Sequence, residues 1–227
     1  MEIIKVNDLK ALIFDLDGTL ADTLPLCLKS FQDSIEISTG IRPSKDLVER
    51  FWGFSEHGII KNLDPVTPEK SFDIWKKTYQ ENHKNYCDLF DGIRKLLETL
   101  KKSGVLLFLV TGKGEVSCGI TLEKLQIENL FQEVKTGSEN GSIKPQCIKE
   151  ILEKYNLSPA EVLYIGDAPT DITDAKSVGV DTIAAAWAKS ANIEAILAQN
   201  PYKICYSVDE FINLVDFLLN NSSKSNV

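Results

Sequence analysis

A chain of 227 residues with 43% hydrophobic composition can form one sizeable core, or a core with a smaller domain beside it. Its formal net charge of −8 disfavours non-specific attachment to nucleic acid or an anionic membrane, and repels anionic substrates unless a metal and a few bases reverse the field locally. No run approaches the roughly 18 apolar residues of a membrane span, and Met1-Glu2-Ile3-Ile4-Lys5 lacks the apolar core of a signal peptide, so a cytoplasmic protein is expected.

The first element in chain order is a short apolar run, Leu12 to Phe14, which reads as a buried strand of a parallel sheet. Asp15 and Asp17 follow it. If the chain stays extended that far, their side chains share a face, and Gly18 then allows a sharp departure. Two like charges held close repel each other, and a hard cation such as Mg²⁺ would compensate them. An Asp-Gly turn with both acids in solvent is the plainer alternative at this point.

Asp22 or Thr23 can cap a helix with Pro25 in its first turn and Leu24, Leu28, Phe31 and Ile35 at helical spacing, ended by Gly40. Leu47, Val48, Phe51 and Trp52 predict a second helix, and Phe72, Trp75, Tyr79 and His83 another after Pro68. No strand is expected between Asp22 and Cys87. Residues 22–87 therefore read as a small all-helical domain inserted into a larger one, 1–21 and 88–227. Within it Trp52, Arg50, His57 and Lys61 could face a substrate, although Trp52 suits the helical core and the charged residues suit the surface.

Beyond Leu89 strands and helices alternate. Asp91-Gly92 opens a helix through Lys102, with Ile93, Leu96, Leu97 and Leu100 on one face. Val105 to Val110 is a buried strand, followed by Thr111-Gly112-Lys113-Gly114 and a helix over 116–125. A weaker strand lies near Val134, and Lys144-Pro145 starts a helix to about Tyr155. Val162 to Ile165 is a strand ending at Gly166-Asp167, and Asp171 to Val178 is helical. Val180 to Ala184 and Lys203 to Cys205 are late strands, each followed by a helix; Asn220 to Val227 is a polar, frayed end. This alternation predicts an α/β fold, a doubly wound parallel sheet. In such a sheet ligands bind at the carboxyl ends of the strands. Asp15, Thr111, Lys144 and Asp167 would all converge on that rim. The cysteines Cys27, Cys87, Cys118, Cys147 and Cys205 are odd in number and lack CxxC spacing, as expected of reduced thiols that bind no zinc.

Asp15-Leu16-Asp17-Gly18-Thr19 resembles the nucleophile motif of the haloacid dehalogenase superfamily. Thr111-Gly112-Lys113, Lys144-Pro145 and Gly166-Asp167-Ala168-Pro169-Thr170-Asp171 resemble its second, third and fourth motifs, in order. Taken singly, each has an ordinary explanation: a strand end, a solvated lysine before proline, an Asx turn, a helix cap. The helical insert resembles the helical-cap branch that includes phosphoglycolate phosphatase.

The resemblance implies a Mg²⁺-dependent phosphatase acting on a small phosphorylated metabolite through an aspartyl-phosphate, without nucleic acid or membrane partners, as a monomer or weak homodimer. Asp15 would be the nucleophile and Asp17 the acid/base. Lys144 would neutralise charge, and Thr111, Gly112 and Lys144 would hold the phosphate. Metal ligands would be Asp15, the backbone carbonyl of Asp17, and Asp167, with Asp171 and Thr19 behind them. Where relatives carry Asn or Ser after the threonine, Gly112 offers only its N–H. Residues 51–58 depart from the phosphoglycolate phosphatase pattern, and Gln146 stands where a second proline is familiar. A phosphomutase of the β-phosphoglucomutase type keeps the same motifs and is the main alternative. A dehalogenase or a Schiff-base phosphonate hydrolase is disfavoured by Asp17. A retired, phosphate-sensing scaffold would have lost Asp15, Asp17 or Lys144.

Overall fold

The computed structural model describes residues 9–83 and 88–222. Met1–Lys5, Cys87 and residues 223–227 lie outside them. Six strands form one sheet: β1 (Ala11–Phe14), β2 (Leu106–Val110), β3 (Glu133–Lys135), β4 (Val162–Gly166), β5 (Asp181–Ala185) and β6 (Lys203–Cys205). Their order is β3-β2-β1-β4-β5-β6, and every neighbouring pair is parallel. Every residue of β1 and β4 is buried, as befits continuous apolar runs covered on both faces. The chain turns to one side of β1 for β2 and β3 and to the other for β4, so a crevice opens beyond the carboxyl ends of β1 and β4.

Between β1 and the sheet's next strand lie α1 (Leu24–Thr39), α2 (Lys45–Glu49), α3 (Glu56–Leu63), α4 (Pro68–His83) and α5 (Ile93–Lys102). The remaining α-helices are α6 (Glu115–Leu125), α7 (Lys144–Lys154), α8 (Pro169–Ser177), α9 (Ile193–Leu197) and α10 (Val208–Ser222). Helix α5 buries Ile93, Leu96, Leu97 and Leu100, the i, i+3, i+4, i+7 stripe its sequence predicts. Among the described residues, no helix is long and apolar enough to cross a membrane.

The α1–α4 region departs from expectation in detail. The buried face of α1 carries Leu26, Cys27, Ser30, Phe31, Ser34 and Ile35, whereas Leu24 and Leu28 are only half-buried. The two serines sit inside because α1 lies close along α4, where Asn82 donates to Ser30 Oγ at 3.1 Å. Helix α2 stops at Glu49, so Phe51 and Trp52 occupy the turn beyond it. Helix α3 is unannounced by the apolar spacing: eight residues with only Ile59, Ile60 and Leu63 apolar. At the other end, α10 continues through Ser222 rather than fraying at Asn220, because Phe211, Val215 and Leu218 anchor it on the sheet. Cys27, Cys118, Cys147 and Cys205 are free and buried.

Candidate active site

Just past β1 the Asp15 amide still donates to Ile165 O on β4, at 2.8 Å, which holds this residue at the sheet edge. The chain then coils on itself. The Leu16 carbonyl accepts from the amides of Thr19, Leu20 and Ala21, and Gly18 takes φ +77°. A side chain at position 18 would be strained by that angle and would overlap the Asp167 carboxylate. The turn is also pinned from outside: Trp187, beyond β5, donates its indole N–H to Thr19 O at 3.0 Å.

Asp15 and Asp17 both line one cavity of about 150 Å³ but meet different lysines. Lys144 begins α7. Its ammonium lies 2.5 Å from Asp171 Oδ1 and 3.3 Å from Asp15 Oδ1, with all three groups buried. The contact with Asp15 is electrostatic only, since Asp15 Oδ1 has no hydrogen-bond partner. Asp171 is engaged at both oxygens. Tyr164 donates to Oδ1 at 3.2 Å and the Ala168 amide to Oδ2 at 3.0 Å.

Lys113 holds Asp17. Its Nζ is 3.1 Å from Asp17 Oδ1, 2.8 Å from the Tyr79 hydroxyl and 3.2 Å from Cys27 Sγ. Thr23 also donates to Asp17 Oδ1. Nothing in the sequence patterning singled out Lys113 beyond its place after Thr111-Gly112. A lysine directly after a strand's polar end is ordinarily solvated, and only the fold shows it buried.

Asp167 follows β4, and Thr19 donates to its Oδ1 at 3.0 Å. Carboxylate oxygens of Asp15, Asp167 and Asp171 lie within 4.8 Å of one another. Three acids this close, in the interior, call for compensating positive charge, part of which Lys144 supplies. Burial, with Asp171 and Asp17 nearby, pushes the Asp15 carboxyl up to about 7 against the pull of Lys144. Burial and the carboxylates of Asp15 and Asp171 push Asp167 well above the usual range. The Lys144 ammonium is opposed by burial, but Asp15 and Asp171 outweigh it and hold the amine firmly protonated. The orphaned Asp15 oxygen and the all-oxygen donor set suit a hard divalent cation. The Asp17 carboxylate stands outside this trio.

The other expected residues gather at the same place with different neighbours. Thr111 is buried after β2, and its hydroxyl accepts from the Lys113 amide at 3.2 Å. Gly112 lines the cavity, and its backbone packs against Gly53 and Gly137 so closely that a Cβ at residue 137 would overlap the Gly112 carbonyl. Of the four residues singled out between the first strand and Cys87, Trp52 does line the cavity rather than only filling the helical core. His57 stacks on Phe72 with ring centroids 3.6 Å apart, Lys61 pairs with Glu139 at 2.5 Å, and Arg50 is exposed. Glu56, which sequence reasoning passed over, is buried on α3. It accepts from the Gly114 amide at 2.6 Å, the Ser117 amide at 3.0 Å and the Ser117 hydroxyl at 3.2 Å, capping the N-terminus of α6.

A parallel α/β sheet with acids, a lysine and a threonine at the carboxyl ends of its strands is the arrangement expected of the superfamily that its motifs resemble. The sequence model for the haloacid dehalogenase-like hydrolases matches residues 12–185, and the chain belongs to that family. The pyrophosphatase PpaX of Bacillus mycoides (strain KBAB4) is 26% identical over 218 residues, 94% of this chain and 97% of that one. A hydrolase from Pseudomonas syringae superimposes with a TM-score of 0.76 at 21% identity, covering 92% of this chain and 98% of its own. A predicted phosphoglycolate phosphatase from Haemophilus somnus 129pt does so with a TM-score of 0.74 at 24% identity, over 91% and 97%. At such identities the two structures share the fold.

Proposed function

We propose that the protein is a Mg²⁺-dependent phosphatase that hydrolyses a small phosphate monoester through an aspartyl-phosphate on Asp15. The observation that carries this reading is the division of labour between two lysines. Lys144 meets Asp15 at the mouth of the acidic trio, while Lys113 holds Asp17 away from it. One carboxylate is thus free to attack and the other to manage protons. The helices of residues 22–87 are read as a cap over a core of 1–21 and 88–227, since their side chains complete the cavity from above the sheet edge.

Phosphate monoesters hydrolyse so slowly that accelerations up to ~10²¹-fold are needed, and a covalent intermediate divides that barrier. The cation, held by Asp15 and Asp167 and completed by the Asp17 carbonyl, would supply positive charge to the phosphoryl oxygens. An Asp15 oxygen attacks phosphorus and the bond to the ester oxygen breaks. Asp17 gives its proton to the departing alkoxide, then removes one from the water that attacks the acyl phosphate. That second step releases inorganic phosphate and restores Asp15. Lys144 balances charge on the phosphoryl group, anchored by Asp171. The Thr111 hydroxyl and the Gly112 N–H can donate to phosphoryl oxygens. Thr19 keeps Asp167 oriented.

The test separates the two acids. After mixing with Mg²⁺ and acetyl phosphate, intact-protein mass spectrometry should show a lingering phosphate adduct on Asp17→Asn and none on Asp15→Asn. A good leaving group needs little protonation, but the hydrolytic base is gone. The reverse pattern would exchange the roles, and an adduct on serine or histidine would remove the mechanism.

A further inference from the structure

The cavity above Asp15 has a wall of a definite chemical kind. Leu24, Phe31, Trp52, Phe54, Ile59 and Trp75 line it on the side away from the sheet. Phe31 stacks on Trp75, with centroids 5.6 Å apart and planes 20° from parallel, and is tilted against Trp52 at 6.1 Å. Phe31, Trp52 and Trp75 thus form a packed block of rings in this wall, while Ser117, Ser142 and Thr170 line other parts of the cavity.

Charge around the cavity is equally one-sided. Its lining holds four carboxylates, Asp15, Asp17, Glu56 and Asp167, against two ammonium groups, Lys113 and Lys144. An ammonium has three N–H donors. Those of Lys113 are matched by Asp17, the Tyr79 hydroxyl and Cys27 Sγ. Lys144 belongs to Asp15 and Asp171 and faces the phosphoryl position. Among the described residues, no arginine lines the cavity. With the proposed metal and Lys144 engaged at the phosphoryl group and Lys113 at Asp17, no further cation among the described residues lines the cavity to meet a second anionic group on the substrate. Burying an unpaired charge in this way is strongly unfavourable. An apolar group of the same size would instead displace water from apolar surface. The whole cavity, catalytic floor included, is about 150 Å³, so the phosphoryl group and the alcohol part must share that space.

We infer, building on the phosphatase reading above, that the substrate is a small phosphate monoester whose alcohol part is uncharged and apolar, no larger than about one ring. It is neither pyrophosphate nor a phosphorylated carboxylic acid. This separates the chain from the relative whose name is pyrophosphatase.

Two measurements on the full chain with Mg²⁺ test this. Steady-state hydrolysis compares benzyl phosphate with phosphoglycolate and pyrophosphate. The expected kcat/KM favours benzyl phosphate by about tenfold or more over each. Calorimetric binding compares the inert analogues benzylphosphonate, 3-phosphonopropionate and methylenediphosphonate, and the same order is expected. Phe54→Lys places a cation in the wall at a half-buried position. It should narrow or invert the preference for benzyl phosphate over phosphoglycolate while leaving Asp15, Asp17 and Lys144 in place. Equal or better handling of any charged substrate by the unaltered protein would overturn the inference and leave the phosphatase reading intact. No hydrolysis of any ester, with binding still in the predicted order, would sink the phosphatase reading and leave the inference about the wall standing.

Discussion

Two aspartates separated by one leucine end up in unlike surroundings because each meets its own lysine. Asp15 shares Lys144 with Asp171, and Asp17 shares Lys113 with Tyr79 and Cys27. Lys144→Ala should lower kcat/KM by about 10²-fold or more, as loss of other transition-state stabilisers does, with circular dichroism still that of a folded protein although stranding Asp15 and Asp171 lowers its stability. Near-normal turnover would remove it from the proposed machinery. Lys113 invites a different expectation. Removing one member of a buried pair strands the other, so Lys113→Met should destabilise the fold by about 3 kcal/mol in urea unfolding. Adding Asp17→Asn to that variant should restore part of the loss, because the stranded charge disappears with it. A double variant no more stable than the single one would mean that Lys113 matters only for packing. The aspartates, Thr111, Lys144 and Asp167 were legible as site candidates because each follows an apolar strand or opens a helix. Lys113 and Glu56 were not. Their burial depends on groups far along the chain, Asp17 and Tyr79 for one and the α6 amides for the other, and no local pattern encodes that.

At the scale of elements, periodicity located what packs and missed what is capped. The stripes of α5 and α4 follow from their apolar spacing, and so do the runs of β1, β2 and β4. Helix α3 escaped because its stability rests on Glu56 reaching α6 and on Ser55 N–H donating to Ser138 O at 2.8 Å, both contacts made outside its own sequence. Entry into α4 depends on a cap of another sort. The Asp64 carboxylate accepts from the Ser71 hydroxyl at 2.6 Å, from the Thr67 amide and hydroxyl at 3.0 and 2.8 Å, and from the Val66 amide at 3.2 Å. These donors, that of Ser71 first, hold its carboxyl down at about 2. A carboxyl that is more acidic when folded stabilises fully above its unfolded value near 3.9, and loses that contribution as pH falls toward 2. Asp64→Asn should therefore cost about 1 kcal/mol at about pH 6, with the gap to the unaltered protein closing below about pH 3. Urea midpoints across that range test it, and a gap that stays constant with pH would contradict the assignment.

For the molecule as a whole, a cation held by the acidic trio as proposed would make folding and metal occupancy one equilibrium. Three carboxylates within 4.8 Å repel one another across the crevice between β1 and β4, and a bound cation relieves that repulsion only in the folded state. Mg²⁺ at about 100 times its dissociation constant should add about 2.7 kcal/mol of stability, raising Tm, and EDTA should reverse the rise and abolish hydrolysis together. Asp167→Asn should shrink both effects in parallel. Full activity in metal-free buffer would sink the proposed chemistry. The doubly wound parallel sheet and the convergence of polar ends on one rim were foreseeable from the alternation of strands and helices, whereas the strand order was read only from the fold. The composition of the cavity's far wall was not, because Leu24, Trp52, Ile59 and Trp75 come from four segments whose mutual placement only the packed α1–α4 helices determine.

That wall also gives the protein an optical readout. Of its three tryptophans, Trp52 and Trp75 line the cavity and Trp187 is tied to the turn that carries Asp17 and Thr19. Two of the three indoles therefore line the cavity, and the third touches the turn that carries its acids. Intrinsic emission needs no label and should change in intensity and wavelength as the cavity fills. A fluorescence titration would follow occupancy during a single turnover, with little background from the rest of the molecule.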